Sequence, residues 1–101
     1  MHGTDRAALL GALRRAVLEL PAHTDTATRA AAAGGDPLPE PLGSYLAKVR
    51  ERSWRIGDDD VAGLRAAGLS EDEIFELTVA AALGTATRSL NAGLRALRGD
   101  A

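Results

Sequence analysis

Apolar residues recur three and four positions apart along most of the chain, the period of helices packed on one side. Thr4 or Asp5 can cap a first helix to about Leu20, with Leu10, Leu13, Val17 and Leu20 along one stripe and Pro21 ending it. Thr24 is placed to cap a short Ala-rich helix through Ala33, stopped by Gly34-Gly35 and followed by a stiff connector from Asp36 to Pro41. A third helix should start near Pro41 and put Leu42, Tyr45, Leu46, Val49 and Ser53 on one face, until Gly57 breaks it. Asp58 then caps a short helix that turns Val61 and Leu64 inward and closes at Gly68.

The last element has the strongest local signals. Ser70 and Glu73 have the spacing of a reciprocal cap, and Leu69 can pack against Ile74 across it. Glu71, Asp72 and Glu73 lie where the helix dipole favours negative charge, while Arg88, Arg95 and Arg98 lie towards the other end. One helix should therefore run from Ser70 to about Arg98, with Gly99 as its left-handed stop. Phe75, Val79, Leu83 and Leu90 form one apolar face, and Ile74, Leu77 and Ala81 another. A helix apolar on two sides needs two covers. Ala80, Gly84, Thr87 and Asn91 add a stripe of small side chains that admits a close neighbour. The expectation is an all-α chain of about five helices, a homo-oligomer with the long C-terminal helix in or near its interface. The alternative is a central helix wrapped entirely by its own chain.

Composition agrees with helices. Hydrophobic residues make up 46% of the 101 positions but aromatic ones only 3%, so the apolar mass is Ala and Leu rather than a β-branched sheet. One domain is expected, with a modest core burying about 60 to 65% of the unfolded surface. The net charge of -2 gives no general attraction to nucleic acid or anionic membrane. With no Cys there is no disulfide, thiolate nucleophile or zinc-thiolate site. The first twenty residues lack the pattern of a signal peptide, and no run reaches the roughly 18 apolar residues of a membrane span, so the cytoplasm is the expected compartment.

From about Pro41 to Gly99 the chain resembles the alkylhydroperoxidase D-like and carboxymuconolactone decarboxylase-like superfamily. The residues that carry the likeness are Ala67-Gly68-Leu69-Ser70-Glu71-Asp72-Glu73-Ile74, a short helix ending in Ala-Gly before a capped, Ala-rich long helix, and Arg88 followed by Leu90 and Asn91. The resemblance implies residues 37–101 as an alkylhydroperoxidase D-like helical core and 1–36 as an N-terminal helical extension of the same domain. Redox members of the family carry Cys-x-x-Cys and then a His. Counting back from Gly68 places Ser53, Ile56 and Asp60 in those three slots. Thiol peroxidase and disulfide-reductase activity should therefore be absent. The leading expectation is a non-redox binding, scaffold or accessory protein without cofactor, assembled with itself or with an unidentified protein partner. The rival is a decarboxylase-like enzyme using non-thiol acid/base chemistry on a small anionic substrate, with Ser53, Asp60 and Glu40 as candidate groups and Arg55 or Arg88 for the anion.

Each candidate also has a structural reading. Asp58-Asp59-Asp60 at a helix start is better explained by capping and dipole pairing than by a metal, because consecutive carboxylates do not all converge. Lys48, Arg50, Arg52 and Arg55 form the most basic patch beside Trp54, either an anion site or a solvated helix face. Trp54 and Ile56 would line the family's pocket if the alignment holds. Arg88 shares a side with Ile74, Leu77 and Ala81, so an ion pair with an acidic residue is expected, with anion binding as its alternative. His2 and His23 have no spaced partners for zinc and read as surface residues. A helix-turn-helix reading of Val61 to Leu77 fails on the acidic start of its would-be recognition helix.

Overall fold

The computed structural model describes residues 3–19 and 22–99, and the side chains of 8, 9, 11–19 and 22–99. Among them the chain is all-helical: α1 (Gly3–Leu18), α2 (Thr26–Gly34), α3 (Leu42–Glu51), a single 3-10 turn (Ser53–Arg55), α4 (Asp58–Ala66) and α5 (Glu71–Leu97). No helix there is long and apolar enough to cross a membrane.

α5 organises the rest because its local signals all agree. Ser70 Oγ accepts from the Glu73 amide at 3.1 Å, and Glu73 Oε1 accepts from the Ser70 amide at 2.9 Å, so two otherwise orphaned donors are satisfied. At 27 residues α5 is about 40 Å long. Its inward side, Ile74, Leu77, Ala80, Ala81 and Gly84, is buried against α2 and α3. The core around it comprises Leu18, Ala32, Ala33, Leu42, Tyr45, Leu46 and Leu64. Through Leu18 at the end of α1 and Ala32 and Ala33 at the end of α2, these two helices share one core with α3, α4 and α5.

The closest approach is between α2 and α5. A β-carbon on Gly84 would lie 2.0 Å from the Ala33 carbonyl oxygen, so only glycine lets these backbones meet. The small stripe expected to receive a neighbour is thus filled, at Ala80 and Gly84, by the chain's own second helix. Tyr45 fixes α3 to α5 by donating to Thr78 Oγ1 at 2.7 Å, since the Thr78 hydroxyl itself donates to the Ile74 carbonyl.

Several local expectations are corrected. α1 already includes Thr4 and Asp5 in its first turn; their side chains and that of Leu10, and the residues Leu20 and Pro21, lie outside the described set. Of the predicted stripe, Leu13 is 51% exposed, and Leu18 is buried instead. The cause is the face α1 presents: Gly11, Arg14 and Leu18 turn towards α2 and α5. Asp25, not Thr24, caps α2, accepting from the Thr28 amide at 2.7 Å. Gly57, not Asp58, precedes the first turn of α4, and all three aspartates stand inside that turn where the dipole favours them. α3 ends at Glu51, which takes Ser53 off its inward face.

Candidate functional site

Ser53, Ile56 and Asp60, the positions that the resemblance sets in the redox slots, fall on the 3-10 turn, just after it and in the first turn of α4. Ser53, Trp54 and Arg55 make the 3-10 turn after α3, and all three are exposed, Trp54 by 78%. Ile56 is partly buried against the core and presents no chemistry. Asp60 has both oxygens engaged, Oδ1 with Lys48 Nζ at 2.7 Å and Oδ2 with the Gly57 amide at 2.9 Å. These bonds, the Lys48 one first, hold its carboxyl below the ordinary carboxylate range. A carboxylate held in its charged form by two donors is a poor proton acceptor at neutral pH.

Glu40 accepts from the Ser44 amide at 3.3 Å and so caps the start of α3. Ser53 lies beyond the other end of that helix, about 15 Å of rise away. The proposed acid, base and hydroxyl are therefore not gathered in one place. The basic patch is likewise divided, since Lys48 is committed to Asp60. Among the described residues no group of three or more Asp, Glu or His is placed to hold a metal ion.

Arg88 has a different partner from the acidic one expected. Its Nη1 donates to the Ala33 carbonyl at 2.6 Å, and Nη2 reaches Thr85 Oγ1 at 3.3 Å. Ala33 lies in the last turn of α2, so the guanidinium satisfies an orphan carbonyl at the negative end of that helix. Arg29 does the same for α1: buried in α2, it donates through Nη1 to the Val17 carbonyl at 2.7 Å. Both arginines are helix caps supplied from a neighbouring helix. No pattern of residue types announces such a partner, because a backbone carbonyl carries no sequence signature.

His23 also has partners that spacing did not reveal. Glu76 accepts from the His23 amide at 3.0 Å and from the Thr24 amide and hydroxyl, both at 2.9 Å, and contacts His23 Nδ1 at 2.7 Å. Burial alone would push the Glu76 carboxyl up, but the bonds from His23 and Thr24 outweigh it and bring its pKa to about 2. The imidazole is pushed up by its bond to Glu76 and then by the nearby Asp72 carboxylate, 3.6 Å from Nε2. This cluster pins the start of α2 onto α5. It is exposed on its His23 side and borders a small cleft of ≈ 160 Å³, but the Glu76 oxygens are taken up by His23 and Thr24, so it reads as a structural clasp.

The feature without an internal explanation is the outer side of α5. α2 and α3 cover the inward side of α5, and its outer side carries Phe75, Val79, Ala82, Ala86, Leu90, Gly93 and Leu97, of which Phe75, Val79, Ala86 and Leu90 also border clefts against α1. Phe75 is 68% exposed and Leu97 85%, with Val79 half-buried and the other four exposed. No charged residue interrupts this stripe over about 33 Å. Beside it an apolar groove of ≈ 380 Å³ runs between α1 and α5, with Gly11 and Arg14 on one wall and Leu83, Leu90 and Leu94 on the other.

The chain is also extended for its mass. It exposes 6735 Å² at 10.5 kDa, where a folded monomer of that mass is expected to expose about 5,400 Å². Its radius of gyration is 15.1 Å, against about 13 Å for a compact domain of this length.

No family model, curated protein or solved structure matches this chain.

Proposed function

We propose that the chain is a non-catalytic association module: an alkylhydroperoxidase D-like helical frame without redox chemistry, which assembles with itself through the outer face of α5. The observation that carries this reading is the apolar stripe from Phe75 to Leu97, left open in a chain that exposes about 1,300 Å² more than a monomer of its mass should. A standard interface buries about 800 Å² per partner. An open apolar stripe about 33 Å long marks an interaction surface.

The family frame rests on the capped start of α5 and on the short helix that precedes it through Gly68. The redox slots hold Ser53, Ile56 and Asp60, and neither the first two nor a lysine-bound aspartate supports thiol chemistry. An acid/base enzyme would need Asp60 free and Glu40 near Ser53, and neither condition is met.

Leu90→Glu places a charge on the open stripe at a position that is 47% exposed. Light scattering should find the wild-type chain at a multiple of 10.5 kDa and Leu90→Glu at the monomer mass, with unchanged helical circular dichroism. A wild-type monomer at high micromolar concentration contradicts the self-association. Peroxide turnover that Asp60→Asn abolishes contradicts the non-catalytic reading.

A further inference from the structure

The groove between α1 and α5 has a shape that limits its occupant. On the α5 side it follows Leu83, Thr87, Leu90 and Leu94, a line of about 16 Å along the helix. Spread over that length, ≈ 380 Å³ leaves a section of about 23 Å². A second helix, about 10 Å across, needs more than three times as much. An extended peptide would be thin enough, but each of its buried amides needs a partner. The walls offer few: the Thr87 hydroxyl is already spent on the Leu83 carbonyl at 2.8 Å, which leaves the Asn91 amide. A single unbranched hydrocarbon chain meets both limits, since it is narrow and asks for no hydrogen bonds.

Charge selects the head of that chain. Among the described residues no carboxylate lines the groove, and its one charged side chain is Arg14. Arg14 is exposed and, among the described residues, has neither hydrogen bond nor ion pair. Its guanidinium is therefore open to an incoming carboxylate, which it can grip with two parallel N–H donors. Gly11 keeps the α1 wall low, because a β-carbon there would meet nothing nearer than the end of the Arg15 side chain at 3.9 Å. The volume is that of a small-ligand site, about 300–1,000 Å³, and such sites are likewise apolar with a few polar anchors.

We infer that this groove binds the carboxylate of an unbranched acyl chain, with the hydrocarbon along Leu83, Leu90 and Leu94 and the head group on Arg14. The inference goes beyond the self-association proposed above and does not rest on it.

Isothermal titration with decanoate, kept below micelle-forming concentrations, tests it. One decanoate should bind per chain, about tenfold or more tighter than decylammonium, because only the carboxylate gains the charged bonds to Arg14. Octanoate, two methylenes shorter, should bind about tenfold more weakly. Arg14→Gln should erase the preference for decanoate over decylammonium. Gly11→Leu puts a side chain where the wall is open and should weaken decanoate about tenfold or more, while its Tm stays at or above that of the wild type through the gain in helix propensity. If Gly11→Leu does not fold, the head-group preference in Arg14→Gln carries the test alone. Equal affinity of the wild type for decanoate and decylammonium overturns the proposal, as does unchanged affinity in a folded Gly11→Leu or no binding at about 1 mM decanoate. Light scattering on the same samples keeps the two readings apart: a monomeric chain that binds decanoate supports this site and removes self-association, and an oligomer that does not bind it removes this site alone.

Discussion

Replacing Gly84 by Ala adds one methyl group to the point where α2 and α5 approach most closely. The new carbon would sit 2.0 Å from the Ala33 carbonyl oxygen, 2.7 Å from its carbon and 2.9 Å from its Cα. All three are backbone atoms, so no side chain can swing away. Restoring ordinary contact needs the helices to separate by about 1 Å, a change of the kind that makes overpacked cores cost about 1–3 kcal/mol. The same shift stretches the charged hydrogen bond from Arg88 to the Ala33 carbonyl, worth about 1.5–3 kcal/mol when intact. Against this, Ala exceeds Gly in helix propensity by about 1 kcal/mol. The net is a loss of about 2–4 kcal/mol, or a fall in Tm of at least about 10 °C for a domain of this size. Gly63→Ala is the matched control: it lies within α4 with nothing within 4 Å of the added carbon, so only the propensity gain remains and Tm should rise by a few degrees. Thermal unfolding followed by circular dichroism reads both. If Gly84→Ala is as stable as Gly63→Ala, the close α2–α5 contact is not as described.

The clasp at Glu76 makes a second prediction, with a sign on each side of neutrality. Glu76 has its pKa lowered from 4.5 to about 2, so its contribution is present above pH 4.5 and is lost as pH falls towards 2. The His23 pKa is raised from 6.5, so its contribution is full below pH 6.5 and is lost as pH rises through the elevated value. Tm should therefore be highest between about pH 4.5 and 6.5, and His23→Ala should flatten the decline on the alkaline side. An unchanged alkaline limb in that variant would show that the imidazole is not bound to Glu76. Tyr45→Phe removes the donor to Thr78 Oγ1 and should cost about 1 kcal/mol in chemical denaturation, with no change of fold. Ser70→Ala removes one half of the reciprocal cap and should cost about 1 kcal/mol as well, read in the same titration.

What was legible in the sequence depends on how local each cause is. The start of α5 was readable because Ser70 and Glu73 satisfy each other within one turn, and its length followed from uninterrupted helix formers. The order of five helices was readable for the same reason. The face that α1 buries was not, since Leu13 and Leu18 are equally apolar and the choice between them is made by where α2 and α5 stand. Thr24 looked like a cap because it precedes the Ala-rich run, yet the next residue, Asp25, takes that role and leaves the Thr24 hydroxyl for Glu76. The partners of Arg29 and Arg88 are backbone carbonyls of other helices, invisible to any pattern of residue types. The uncovered outer face was legible in outline, because a helix apolar on two sides needs two covers and the rest of this short chain could not be assumed to supply both. As for the candidate site, Ser53, Asp60 and Glu40 were brought together by counting along a family pattern, and the length of α3 keeps Glu40 and Ser53 apart.

The mass of the wild-type chain in solution, by size-exclusion chromatography with light scattering across a range of concentrations, tests the central claim most directly. The open face of α5 predicts a species at a multiple of 10.5 kDa that dissociates only on dilution. A single species at 10.5 kDa at every concentration would contradict it, and the apolar stripe from Phe75 to Leu97 would then need an occupant other than a second copy of this chain.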